Sequence, residues 1–264
     1  MSYKNYKFPY RNHTTVSYNM CCFTDRKDSP YHLDTLDTLF NMQEEGKIRS
    51  ITGLNFPPNV LRDAHENGFT LDSNQVACNI IDQRSISDYQ SVFGDTNTKM
   101  LYSDPLLGGI LTEPFFFNHR KEPSPLTLSQ SQRQNLNIIR TWGKSVFSRE
   151  RVPSWTLFHK HILSTLYEIS NLYEVTIQSV ALRYIMQKTS DSSIESSALG
   201  GMVIGSRVGV SEEWFDTRPN QWREVFRFQL DQEHMKQLDE VSTLGFLPEL
   251  YPSTKKFDFD DFDY

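Results

Sequence analysis

The stretch that most constrains this chain is KIRSITGLNF, Lys47–Phe56. Ile48, Ile51 and Leu54 suit a short buried strand, Gly46 precedes it, and Pro57 and Pro58 stop it. A polar residue, Asn55, stands where strand gives way to loop. The same grammar recurs three times. Ser73-Asn74-Gln75-Val76 opens a strand with polar residues, and Met100-Leu101-Tyr102-Ser103 closes one with them. Met202-Val203-Ile204 runs into Gly205, Ser206 and Arg207. Helix-like segments separate these strands, and that alternation predicts parallel strands joined by helical crossovers. In such sheets and barrels the ligand lies at the C-terminal ends of the strands, so the polar residues there mark a binding face.

A chain of 264 residues, 38% of them hydrophobic, is long enough for one large core or two modest ones. Its net charge of −6 gives a nucleic-acid role no global electrostatic support. No apolar run is long enough to cross a bilayer, and the polar, aromatic start MSYKNYKFPYRNH lacks the apolar core of a secretory signal. Three cysteines, two of them adjacent at Cys21 and Cys22, form neither a disulfide framework nor a zinc pattern, which fits the cytoplasm.

Along the chain, residues 1–13 read as an irregular lead-in and Thr15–Phe23 as a strand. A helix is expected over Pro30–Glu45, started by Asp28 or Ser29 with Pro30 in the first position and closed by Gly46. Further helices are expected over Pro58–Asn67 and Ser85–Phe93. Residues 104–152 then interrupt the alternation as a long insertion, with a polar helix near Ser129–Trp142. Its Phe115-Phe116-Phe117 triplet suits either a pocket lining or an anchor that pins the segment down. Amphipathic helices follow at Trp155–Tyr173 and, capped by Thr176, over IQSVALRYIMQK. After a serine-rich loop at 189–199 and the last strand, helices are expected from Ser211 and over Leu230–Leu244. The organisation is thus one domain over 14–250 and an acidic, aromatic tail over 251–264.

Four passages, in order, resemble the aldo-keto reductase superfamily over roughly residues 14–245. They are EEGKIRSITGLNF, the Asn74-Gln75 pair, LYSDPLLGGIL, and VALRYIMQK followed by MVIGSR. The resemblance implies a (β/α)₈ TIM barrel and NADP(H) as cofactor. It assigns Asn55 and Gln75 to the nicotinamide carboxamide, which paired amide donors and acceptors read well. It assigns Tyr102 to stacking under the nicotinamide ring. It places Ser206 and Arg207 at the 2′-phosphate and Glu212 near the adenine. The substrate implied is a small aldehyde or ketone.

The family's catalytic aspartate, tyrosine, lysine and histidine are not identifiable here. The first three belong to chain before the strand at Thr15–Phe23, and the histidine position falls at about Asn19, a residue that does not titrate near neutrality. His13, His32, His159 and His161 lie elsewhere. About five strand–helix units are counted, so the expected fold is α/β, an incomplete (β/α)₈ barrel from a truncated chain. Its outer strands leave ladder groups that a second copy would cover. The expected function is that of an NADP(H)-dependent oxidoreductase in its full-length form, or alternatively of a non-catalytic module that binds nucleotide or a partner. Replacing Arg207 with alanine is expected to weaken NADPH binding about tenfold while leaving NADH nearly unchanged, because only NADPH carries the 2′-phosphate. Parallel titrations with the two nucleotides measure this, and equal losses remove Arg207 from the phosphate site.

Overall fold

The computed structural model describes residues 17–21, 31–89, 96–146, 152–190, 199–205 and 223–243. Five parallel strands form one sheet: β1 (Ser17–Cys21), β2 (Ser50–Leu54), β3 (Ser73–Ala77), β4 (Lys99–Ser103) and β5 (Leu199–Val203). Their spatial order is their chain order. This is the order expected of a barrel arc, since a doubly wound sheet reverses direction partway. Between the strands run α1 (Tyr31–Glu44), α2 (Pro58–Glu66) and α3 (Arg84–Asp88). The long crossover from β4 to β5 holds α4 (Glu113–Asn118), α5 (Gln130–Val146), α6 (Ser154–Phe158), α7 (Ser164–Tyr173) and α8 (Ile177–Ser190). A π-helical turn, His159–Leu163, joins α6 to α7, and α9 (Gln232–Thr243) follows β5. None of the described helices is long and apolar enough to cross a membrane.

Local chemistry sets the element ends. Pro57 caps α2 in an extended conformation and Pro58 takes its first position, where a missing N–H costs nothing. Gly46 and Gly68 follow α1 and α2 with φ of 71° and 88°, a left-handed region that suits glycine. Thr176 caps α8 through its side chain on the Ser179 N–H, and Glu113 of α4 accepts the Ile177 N–H at 2.7 Å. The second contact sets a carboxylate against the positive end of α8 and ties the 104–152 segment to it.

Burial alternates along β3 and β4, whereas Ile51, Thr52 and Gly53 of β2 are all buried. Asn74 and Val76 of β3, and Met100 and Tyr102 of β4, are buried, while Ser73, Gln75, Ala77, Leu101 and Ser103 are partly exposed. One face of the sheet is therefore packed under helices and the other is open. A closed parallel barrel would bury both. The sheet is the incomplete arc of five units expected from the sequence, and no described strand continues it beyond β1 or β5.

The core lies between the packed face and the helices, with Leu61, Ala64, Leu71, Val180, Ala181 and Ile185 among its members. The 104–152 segment contributes more than the sequence suggested. Leu136, Ile139 and Trp142, about one helical turn apart on α5, are buried, and Trp142 meets Phe158 edge-on at 6.0 Å. The phenylalanine triplet divides its roles. Phe115 is buried near Trp155, and Phe116 stacks on Tyr167 and His159. Phe117 stays 55% exposed. Two of the three rings thus act as anchors. Tyr184 links α8 to its neighbours, donating to Asp239 of α9 and accepting from Gln83 just before α3.

The Asp28 or Ser29 cap, the chain beyond Tyr89 in the expected third helix, most of the 189–199 loop, the helix from Ser211, the lead-in and the tail lie outside the described residues. Helix α5 meets the start of α6 so closely that a Cβ on Gly143 would lie 2.3 Å from the Cβ of Ser154 and 2.6 Å from its Cα. Gly143→Ala is expected to cost about 1–3 kcal/mol, the usual penalty of overpacking. Urea unfolding of the variant measures it.

Candidate cofactor-binding site

The C-terminal ends of β2, β3 and β4 bring part of the expected site together. Leu54 pairs in register with Gln75, and the Asn55 N–H continues the ladder to the Gln75 carbonyl at 2.8 Å. The two amide residues are therefore neighbours at one strand end. Both are partly exposed, and among the described residues neither side-chain amide is engaged in a hydrogen bond. Asn55 has φ of 55°, a left-handed conformation that asparagine tolerates better than most side chains. An amide-bearing ligand at this edge would meet two unengaged carboxamides, the donor set the sequence reading required.

Buried groups hold that turn. Asn74, 0% exposed, accepts the Phe56 N–H through Oδ1 at 3.2 Å and donates through Nδ2 to the Phe56 carbonyl at 3.0 Å. The Tyr89 hydroxyl donates to the same carbonyl at 2.6 Å. Gly53 lies beneath this clip: a Cβ there would sit 2.7 Å from the Phe56 ring and 2.8 Å from the Asn74 Oδ1. Burial, slightly offset by Asn74, pushes the Tyr89 phenol above its ordinary range, so it stays a neutral donor.

Tyr102 is not brought to this edge. It pairs in register with Val76, is 1% exposed, and lies on the packed face with Met100 and Asn74. Burial raises its phenol, with the neighbouring Cys78 and Tyr89 adding to the shift. The residues of β4 that share the open face with Gln75 and Ala77 are Leu101, paired with Gln75, and Ser103, paired with Ala77 on one side and Val203 on the other. A strand turns successive side chains to opposite faces, so Tyr102 and Gln75 cannot line one pocket while β3 and β4 keep this register. On the open face β4 therefore sets Leu101 beside Gln75 and Ser103 beside Ala77, and Tyr102 lies behind them.

Ser206, Arg207 and Glu212 lie outside the described residues. Asn19 pairs in register with Thr52, whose hydroxyl bonds that of Ser73 at 2.7 Å. Sequence reasoning missed Tyr89 and Ser103 and gave Asn74 no separate role. The period-2 alternation was the signal that separated Asn74 from Gln75 and Tyr102 from Ser103. The loop after β3 is structural: Asn79 accepts the Ile81 and Asp82 N–H groups, and Asp82 takes Arg84 in a two-point ion pair. Burial pushes the Cys78 thiol up to about 12, leaving it unreactive near neutrality. No group of side chains suited to a metal ion occurs among the described residues.

Sequential parallel strands, helices on one face and a polar edge at the C-terminal strand ends define an open (β/α)-barrel-type scaffold. The profile of the aldo/keto reductase family matches residues 10–243, and the chain belongs to that family. Two solved structures share the fold. A thermostable aldo-keto reductase in complex with the inhibitor epalrestat superposes with a TM-score of 0.50 and 17% identity, over 86% of this chain and 60% of that one. The glycerol dehydrogenase of Gluconobacter oxydans superposes with a TM-score of 0.60 and 15% identity, over 88% of this chain and 59% of that one. This chain thus spans about three-fifths of the length of both. No curated protein gives a significant sequence match.

If Tyr102 is a core residue, Tyr102→Phe will leave nucleotide affinity and stability nearly unchanged. Tyr102→Ala is expected to cost about 3–5 kcal/mol, as removal of a buried ring does. Chemical denaturation with a parallel binding titration tests both, and a selective loss of binding in Tyr102→Phe would contradict the placement.

Proposed function

We propose that this chain carries the nucleotide-binding side of an NADP(H)-dependent reductase, with the cofactor held at the C-terminal ends of β2 to β5. The observation that carries the reading is the Asn55–Gln75 pair, joined main chain to main chain by a 2.8 Å hydrogen bond at the end of β2, with neither carboxamide engaged among the described residues. Family membership supports it. In this reading Asn55 and Gln75 orient the carboxamide end of the cofactor, while Ser206 and Arg207 select the 2′-phosphate and Glu212 contacts the adenine. Bound there, the cofactor supplies hydride to the carbonyl carbon of an aldehyde or ketone. Proton delivery belongs to acid–base residues that this chain does not identify, so the full activity is that of a protein which supplies them. The protein works in the cytoplasm, with a second copy pairing along β1 or β5.

A second reading, a nucleotide-binding module without catalysis, draws on two positions. Ser103 offers no aromatic platform on the open face, and Asn19 offers no titrating group opposite Thr52. Titration of the folded 264-residue chain with NADPH and NADH, followed by tryptophan fluorescence, tests the common part of both readings. Saturable binding, tighter for NADPH, is expected. A folded chain that binds neither overturns both. Oxidation of bound NADPH by simple aldehydes then separates reductase from module.

A further inference from the structure

We propose that Asn74, with Tyr89, is a positioning residue that holds Asn55 in the conformation needed to read the cofactor's carboxamide. The inference rests on the cofactor reading above and adds to it a cause for the geometry of the site. Asn74 lies beside Gln75 in sequence but on the opposite, packed face of β3, so it touches no ligand on the open face. Its amide instead bonds both backbone groups of Phe56, at 3.2 and 3.0 Å, and Tyr89 adds a 2.6 Å bond to the same carbonyl. Phe56 is 0% exposed, so no solvent stands in for these partners.

Fixing both peptide groups of Phe56 fixes the chain one residue after Asn55. On the other side, the Asn55 N–H is already held by the Gln75 carbonyl. Between these two anchors the backbone of Asn55 turns through φ of 55°. The three-residue step from strand to helix, Asn55 to Pro57, is thus set from behind the sheet by a side chain of the next strand. Glycine at position 53 keeps the space the clip occupies, since a Cβ would strike Phe56, Asn74 and Leu71 within 3.0 Å.

The test compares two ligands on the 264-residue chain: NADPH, and adenosine 2′,5′-bisphosphate, which keeps the adenine and 2′-phosphate but has no nicotinamide. Asn74→Ala is expected to weaken NADPH binding about tenfold, as Asn55→Ala does, while leaving the bisphosphate within about twofold of the wild type. The double variant is expected to bind NADPH no more weakly than the worse single one, because both changes remove one interaction. Tyr89→Phe, which removes a single hydroxyl, is expected to weaken NADPH about threefold with the bisphosphate unchanged, and it carries the test if Asn74→Ala does not fold. Wild-type affinity for NADPH in a folded Asn74→Ala chain, or equal losses for both ligands, overturns the positioning role. A wild-type chain that binds the bisphosphate as tightly as NADPH also overturns the positioning role, whereas a folded wild-type chain that binds neither ligand overturns the cofactor reading itself, and both results appear before any variant is made.

Discussion

The constraint on which the rest of this structure depends is the two-residue period of a β-strand. A parallel sheet under helices on one side has one face for packing and one for everything else, and register decides which residues receive which. In β3 and β4 the packed face takes Asn74, Val76, Met100 and Tyr102, and the open face takes Gln75, Ala77, Leu101 and Ser103. Neighbours in sequence thus have unrelated environments. Asn74 and Gln75 share a residue type in all but one methylene, yet one is a buried fastener and the other a partly exposed amide.

The buried side of that division sets the exposed side. A left-handed turn at a non-glycine residue costs about 1–2 kcal/mol. The Asn74 amide contributes two buried hydrogen bonds of about 1 kcal/mol each, and removing it would also leave the buried Phe56 N–H without a partner, a penalty of about 1–3 kcal/mol. The clip therefore outweighs the strain it holds. Asparagine and tyrosine inside a core are ordinarily a liability, but here each polar atom meets a backbone group that the strand-to-helix step leaves unpaired.

Much of this was legible in the sequence. Four of the five strands fall where β-compatible runs stand between helix signals, β5 begins at Leu199, ahead of the expected Met202, and Gly46, Pro57, Pro58, Gly68 and Thr176 punctuate the chain as their backbone preferences require. Two features were not legible. The α5 stripe of Leu136, Ile139 and Trp142 is sparse among glutamines, asparagines and arginines, so the helix read as polar although its buried side holds three core residues. Tyr102 was placed by its resemblance to a family position, which names a residue but not the face it occupies. The β3–β4 register sets Leu101 opposite Gln75 and Ser103 two residues on, and that register is a tertiary fact that no stretch of β4 contains.

The character of the open face bears on what completes the sheet. Barrel interiors are commonly filled by valine, isoleucine and leucine in layers. Here the face carries Ser50, Ser73, Gln75, Ser103 and Gly201, with Leu54, Ala77, Leu101 and Val203 interspersed, and the buried Thr52 bonds Ser73 across two strands. Hydroxyls satisfied by each other do not demand an apolar cover. Among the described residues no strand pairs with the outer edges of β1 and β5, whose ladder groups are directional and costly to leave unmet when shielded from water. Any segment that meets those edges has to supply backbone hydrogen bonds more than hydrophobic area. A polar face left clear between two completed edges is the arrangement a ligand-binding arc requires.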